Sequence, residues 1–500
     1  MKMMSNYVIG IDQSTQGTKV LLFDDLGNIV YKQSRSHAQI INKDGWISHD
    51  LDEIYQNVIL LMNDLVQNAG VPVKEISGIG LSVQRETAAA WAKDTGKSLT
   101  KAIVWQDGRA VDIVELLQKK GIAHEVKAKT GLTLSPYFTA AKLSWMLKNV
   151  PEVQTAAINH NLCMGTMDTW LLYRLTHGHA FKTEPSNASR TQLLDINKVA
   201  WDSSLCHAFG VPLEALATIE QSNTLFGKTD FEGIFPKALP IHCMLGDSQA
   251  ALYGQGCENI GDVKATIGTG SSVMMNIGDK PVQSSDVVTS IGWKINGQMT
   301  YVAEGNINYA GAVVQWLVND LKLIDSANQA EALARQAIPE DHTCLVPAFS
   351  GLGAPYWNTR AKATLTGMTR TTGRPEVVRA ALDSIAFQIN DILNAIDKKL
   401  AIKTHVLKVD GGVTANAYLM QFQSDMSNLV VDVPDIEELS AFGVAYCAGR
   451  SMMVYGNLQL NKVLRYHEYR RTINEDRRQV ILKNWQQAIE QVCQSVGVTK

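Results

Sequence analysis

With 500 residues, 45% of them hydrophobic and 19% charged, the chain has material for more than one core, and its net charge of −3 gives no electrostatic reason to hold nucleic acid or an anionic membrane. Its seven cysteines are odd in number, scattered and never in a CxxC pair, which argues against a disulfide framework or a zinc site and for a reducing, cytoplasmic setting. No apolar run approaches a membrane span, and the Met-Lys-Met-Met start passes into a strand broken by Asp12 rather than into a signal-peptide core.

The first element is an apolar strand, Val8 to Ile11, which stops at Asp12-Gln-Ser-Thr-Gln-Gly-Thr18 and resumes as a hairpin partner at Val20 to Phe23. The tightest hairpins close on about two residues. This longer, hydroxyl-rich turn offers backbone N–H groups and Ser/Thr hydroxyls to an anion, with Asp12 placed to hold a cation through water. An ordinary solvated turn accounts for the stretch about as well. Next, Asp50 and Glu53 form a capping box ahead of Ile54, Val58, Leu61 and Leu65 at helical spacing, and Gly70 stops that helix. "ISGIGLSV" and "KAIVWQD" then read as strands, and strands alternating with helices make a layered α/β domain.

Two GK[ST] triplets, Gly96-Lys97-Ser98 and Gly227-Lys228-Thr229, are decoys, because Trp91 and Ser222 stand where a P-loop needs its leading glycine. "GIGLSV", "GTGSSV" and "GLGAPY" all miss the last glycine of a dinucleotide fingerprint, and no His or Cys cluster has ligand spacing. The sequon Asn187-Ala-Ser189 has no role without secretion. "DSQAALYGQG" implies a helix with Asp247 at a natural N-cap position, and the domain boundary is set just after it: residues 1–254 and 255–500. "DVKATIGTGSSVMMNIG" then repeats the pattern of the first hairpin, which implies two domains of one architecture. Gly268 to Gly270 and Gly411-Gly412 follow apolar strands as the Asp12 turn does. Three such loops suit a nucleotide held between two domains. The basic stretch "RYHEYRRTINEDRR" alternates with acids and reads as a solvated face.

"IDQSTQGTK", "VQRETAAAW", "AIVWQDGR", "SPYFTAAKLSWML", "DTWLLYRLTHG", "NASRTQLLD", "LGDSQAALYGQ", "IGTGSSVMMN", "PAFSGLGAPYW" and "VDGGVTANAYLMQFQSD" are similar, in order and over nearly the whole chain, to segments of the FGGY family of carbohydrate kinases, its glycerol-kinase branch above all. The resemblance implies an α/β fold of two ribonuclease H-like domains, as in actin, with ATP and Mg2+ in the central cleft, and a homo-oligomer, dimer or tetramer. It further implies that Asp12 holds magnesium through water, that Thr15, Gln16 and Lys19 face the ATP phosphates, and that Thr269, Gly311, Gln315, Gly412 and Asn416 line the rest of the nucleotide site. By the same resemblance Arg85 and Glu86 hydrogen-bond a small polyol or sugar, Trp105 and Tyr137 form its aromatic wall, and Asp247 is the catalytic base. An Asp suffices for that role, since phosphoryl transfer has a loose transition state and the hydroxyl proton moves late.

The chain departs from the glycerol branch at two substrate positions: Ser248 stands where those enzymes carry Gln, and Ser272 where they carry Phe. Both changes remove bulk, which favours a polyol somewhat longer than glycerol, or a small sugar. The glycine-rich regulatory loop of some bacterial glycerol kinases is replaced by "TDFEGIFPKALP", which also has no phosphorylatable His. The rival readings are a ketose kinase such as a xylulokinase, which the Arg85-Glu86 pair disfavours, and a non-catalytic sugar- or ATP-binding regulator, which the retained Asp12, Asp247 and phosphate loops disfavour.

Overall fold

The first apolar run forms β1 (Tyr7–Gln13), paired antiparallel with β2 (Gly17–Phe23) so that Val8 faces Phe23 and Asp12 faces Lys19. In this computed structural model, which describes residues 6–494 apart from 401, 457 and 459, β3 (Ile29–Ser36) continues the antiparallel set on the outer side of β2. On the other side β4 (Ile76–Val83) runs parallel to β1. The sheet is finished by β5 (Gly227–Thr229) and β6 (Leu239–Gly246), in the order β5-β6-β4-β1-β2-β3. Parallel strands covered on both faces need continuous apolar runs, and β4 is buried along nearly its whole length.

Helix α1 (Leu51–Asn68) covers this sheet through Ile54, Val58, Leu61 and Leu65, all buried. Asp50 caps it, accepting from the amides of Asp52 (3.0 Å) and Glu53 (3.2 Å). Only half of the expected capping box forms. The Glu53 carboxylate turns to the amide of Ala38 (3.3 Å), which the chain leaving β3 brings within its reach. "KAIVWQD" is also shorter as a strand than its apolar run implies, only Ala102–Ile103. Asp107 ends it by accepting from the amides of Ile47 (2.5 Å) and Arg109 (2.8 Å), and the resulting turn presents Trp105.

Helix α2 (Asp247–Gly254) leads out of β6 toward the second sheet. There β7 (Val263–Ile267) and β8 (Ser271–Gly278) form the second hairpin, flanked by β9 (Val288–Ile295) and β10 (Gln298–Ile307). After α3 (Gly311–Asn319) and the long α4 (Arg374–Leu400) come β11 (Val406–Asp410), α5 (Ala417–Ser427) and β12 (Val430–Pro434). The chain then forms α6 (Leu439–Ser451) and β13 (Tyr466–Tyr469), giving a sheet ordered β9-β10-β8-β7-β11-β12-β13. In both sheets a hairpin is extended by an antiparallel strand on one side and by parallel strands on the other.

The first sheet is drawn from residues 7–246, yet α6, from far along the chain, packs on β1, β4 and β6 and along α2. Glycines allow this approach. A Cβ on Gly443 would lie 2.0 Å from the carbonyl oxygen of Ala250, and one on Gly80 would lie 2.1 Å from that of Val444. Helices α2 and α6 thus lie between the sheets with their N-termini at one cleft. Among the described residues no helix is long and apolar enough to cross a membrane.

Candidate functional site

Where β4 ends, the buried Gln84 amide donates to Gln13 (3.1 Å) and its carbonyl accepts from the Thr87 hydroxyl (2.7 Å). Between these anchors the backbone at Glu86 adopts φ +60°, a left-handed conformation uncommon for non-glycine residues. The turn puts Arg85 and Glu86 into a chain of alternating buried charges. Arg85 Nε stands 3.2 Å from Asp247 Oδ1, while its two terminal nitrogens grip both oxygens of Glu304 at 3.0 and 3.1 Å. Arg190 donates to Glu86 Oε1 through Nε (2.5 Å), and its Nη1 lies 2.9 Å from Glu304 Oε2 as an ion pair off the hydrogen-bond direction. Glu304 and Arg190 are wholly buried. Burial alone would raise the Glu304 carboxyl, but the Arg190 and Arg85 guanidinia overrule it and hold it down to about 2.

Asp247 opens α2 as its first residue, and Gly246, not Asp247, is the N-cap. Its Oδ1 accepts from the Ser248 amide (2.6 Å) as well as facing Arg85, whereas Oδ2 meets no protein donor among the described residues. One carboxylate oxygen is therefore fixed and the other is available to a hydroxyl. Nearby, Trp105 and Tyr137 pack edge to face with centroids 5.5 Å apart, and Tyr137 packs likewise on Phe138 at 5.1 Å. Trp105 is half-buried, and its indole N–H donates to Thr15 Oγ1 (2.9 Å), tying this aromatic cluster to the turn between β1 and β2. Lys142, fully buried, holds the loop carrying Tyr137 by donating to the carbonyls of Pro136 (2.9 Å), Tyr137 and Phe138 (3.3 Å). Burial pushes its ammonium down to about 7, with Glu86 and Asp107 pulling the other way.

The departures from the glycerol branch meet this network. Ser272 donates to Glu304 Oε1 (2.9 Å), and Ser248 Oγ lies 3.3 Å from Asp247 Oδ1. Neither hydroxyl is unpaired, because each has a carboxylate beside it.

In the first turn, Asp12 is buried and accepts from Ser82 Oγ (2.8 Å). Burial raises its carboxyl to about 7, and the Asp247 charge pushes the same way against the Ser82 bond. A carboxylate so placed gains from a cation more than from any protein partner present. Gln16 is exposed on the turn. Lys19 is drawn to Glu438, at 2.7 Å, and Lys32 reaches the other oxygen of that carboxylate at 2.5 Å. Ser440, two residues further on, donates to the Asp247 carbonyl (3.0 Å). The N-terminus of α6 therefore fastens both the first hairpin, through Lys19, and the start of α2.

On the second sheet, Thr269, Gly311, Gln315, Gly412 and Asn416 line one cavity of about 500 Å³. Gly411, just before Gly412, takes φ +101° with no room for a Cβ, while a Cβ on Gly412, which lines the cavity, would meet nothing within 4 Å and point into open space. Asn416 caps α5 through the Leu419 amide (2.9 Å). No cluster of three or more His, Cys, Asp or Glu capable of holding a metal occurs among the described residues.

Arg190, Glu304, Glu438 and Lys142 are the residues that sequence reasoning missed. The one available signal was the charge at Glu304 and at Lys142, each set in a stretch otherwise apolar and small.

Residues 7–254 match the N-terminal domain, and residues 263–452 the C-terminal domain, of the FGGY family of carbohydrate kinases. The chain is 40% identical over 489 residues to glycerol kinase 1 of Thermotoga maritima, covering 97% of this chain and 99% of that one. Among solved structures, Plasmodium falciparum glycerol kinase with ADP aligns over 98% of both chains at 34% identity and a TM-score of 0.92. A ligand-bound xylulose kinase from Lactobacillus acidophilus aligns over 99% of both at 21% identity and a TM-score of 0.87, a likeness of fold alone.

Proposed function

The chain belongs to the FGGY family of carbohydrate kinases, with that family's two-domain α/β fold, and we propose that this ATP-dependent kinase phosphorylates a terminal hydroxyl of glycerol or a somewhat longer polyol. The observation that carries the proposal is Asp247, one carboxylate oxygen pinned by Arg85 and Ser248 and the other open beside the buried Arg85-Glu86 pair. A guanidinium and a carboxylate side by side match adjacent hydroxyls, one accepting and one donating. Trp105 and Tyr137 cover the carbon skeleton, and Asp247 Oδ2 takes the proton of the hydroxyl that attacks the γ-phosphorus.

Nucleotide binding in this reading uses the cavity of Thr269, Gly311, Gln315, Gly412 and Asn416 for the nucleoside end, and Thr15, Gln16 and Lys19 for the phosphates. Lys19 leaves Glu438 when a polyphosphate offers more charge. Asp12 is the residue to hold Mg2+ through water, and the ion when bound neutralises phosphate charge. Ser248 and Ser272 leave room where glycerol kinases carry larger side chains, which supports an acceptor of more than three carbons. The same reading places the enzyme in the cytoplasm as a dimer or tetramer, which light scattering checks.

The test is ADP release with polyols and sugars of about three to six carbons. Turnover with polyols and none with xylulose is the expected outcome. Preference for a ketose would move the chain to the xylulokinase reading, and ATP binding without acceptor-dependent release would make it a regulator.

A further inference from the structure

The charge chain Asp247–Arg85–Glu304–Arg190–Glu86 contains two members with no direct role in the chemistry above. Glu304 lies on β10 of the second sheet, whereas the other four come from the first half of the chain. Among the described residues its carboxylate is the only one within ion-pair distance of both guanidinia, and it accepts from Ser272 as well. Without Glu304, two arginines would face each other in a buried site with too little negative charge to separate them. Without Arg190, Glu86 would lose its only charged donor and Glu304 one of its two. A buried charge stripped of one partner relaxes toward water or toward another partner, so its aim is lost before its fold is.

We propose that Glu304 and Arg190 are positioning residues for the acceptor: Glu304 reaches across from the nucleotide-side sheet to aim Arg85, Arg190 aims Glu86, and the fork that orients the hydroxyls is complete only when both units contribute. This rests on the reading of Arg85 and Glu86 as acceptor ligands. The turn at Glu86 fits it, since its left-handed backbone leaves the carboxylate facing Arg190, whose Nε holds it at 2.5 Å. Arg190 is itself fixed over the Phe138 ring, 5.1 Å from the centroid, so the grip has a rigid base.

The test compares Glu304→Gln, Arg190→Lys and Glu86→Gln by steady-state kinetics with glycerol and a four-carbon polyol, and checks folding by ADP titration. Glu304→Gln keeps the shape and removes the charge; Arg190→Lys keeps the charge and removes the fork. Each is expected to raise the acceptor KM by roughly tenfold to a hundredfold, as losing a charged hydrogen bond does, with the KM for ATP within about twofold of wild type. A merely structural role would move both constants together, or neither, and that result would overturn the proposal. If Glu86→Gln leaves the acceptor KM unmoved, the acceptor-site reading itself fails and the proposal falls with it. If Glu304→Gln binds no ADP because it does not fold, Arg190→Lys decides alone by the same criterion.

Discussion

The surroundings of Arg85 and the cavity on the second sheet are made of different materials. Around Arg85, charged side chains are packed in alternation with almost no water-exposed surface: Arg85, Glu304, Arg190 and Glu86. The cavity on the second sheet is lined by small and neutral residues, the apolar Ile267, Val314, Leu382 and Val413 beside Gly268, Thr269 and Asn416, with Glu331 the one charged residue bordering it. On the function proposed above, the difference follows from what each end would recognise. A polyol is small and neutral, so orientation has to come from the protein, and a rigid fork of fixed charges supplies it. ATP carries its own charge, and backbone amides close to it suffice. The price of the first solution is desolvation, offset only because every charge has a partner.

The largest expected effect comes from Asp247, which the proposal makes the base. Asp247→Asn is expected to lower kcat by about three orders of magnitude while calorimetry still finds acceptor and nucleotide bound. A variant keeping more than about a tenth of the wild-type rate, little more than 1 kcal/mol of barrier, would remove it as base.

Gly412→Leu attacks the nucleotide end alone. A Cβ at this position meets no protein atom within 4 Å, so the new side chain can extend into the cavity that Gly412 lines. The KM for ATP should rise by roughly tenfold or more, the size of a lost ligand contact, with the acceptor KM unchanged. Equal shifts in both would mean that the two ends are not separable.

At the acceptor end, Ser248→Gln with Ser272→Phe is expected to raise kcat/KM for glycerol relative to four- and five-carbon polyols by about tenfold, in the range a pocket gains per one or two carbons of contact. Because the Phe also costs Glu304 its Ser272 donor, the ratio between substrates is the quantity to read. An unmoved ratio, or a wild type that already prefers glycerol, would make plain glycerol the acceptor.

The smallest effect concerns Asp12. Its folded-state carboxyl is raised to about 7 against an ordinary 3.8, so the ligand-free fold holds a proton that the unfolded chain releases. Stability is therefore fully present below the ordinary value and is lost as pH climbs through about 7. Asp12→Asn should flatten that dependence and stabilise the ligand-free protein near pH 8 by about 1 to 2 kcal/mol in urea unfolding. A wild-type unfolding curve with the same slope against pH as the variant would refute the assignment of burial as the cause.

The hairpins were legible because their signals are local. The run before Asp12, its echo at β7 and β8, and the helix that Asp50 opens all depend on residues a few positions apart. The turn residues of the candidate site could be named for the same reason, with the family resemblance assigning their roles. The same locality explains the errors. Glu53 was expected to close a box with Asp50, and nothing nearby in sequence announces that Ala38 offers it a better donor.

Contacts across hundreds of residues belong to tertiary structure. The sequence by itself determined two hairpin-led α/β units, their hydroxyl- and glycine-rich turns and the presence of Arg85, Glu86 and Asp247 after buried strands. Only the fold decided that α6 returns to the first sheet, that Glu438 holds Lys19, and that Glu304 stands between Arg85 and Arg190. The physical reason is that a charge has no readable purpose in a string. Whether Glu304 is a buried defect or the centre of a network depends on which cations the folded chain brings within about 3 Å of it, since burial without them would be prohibitive.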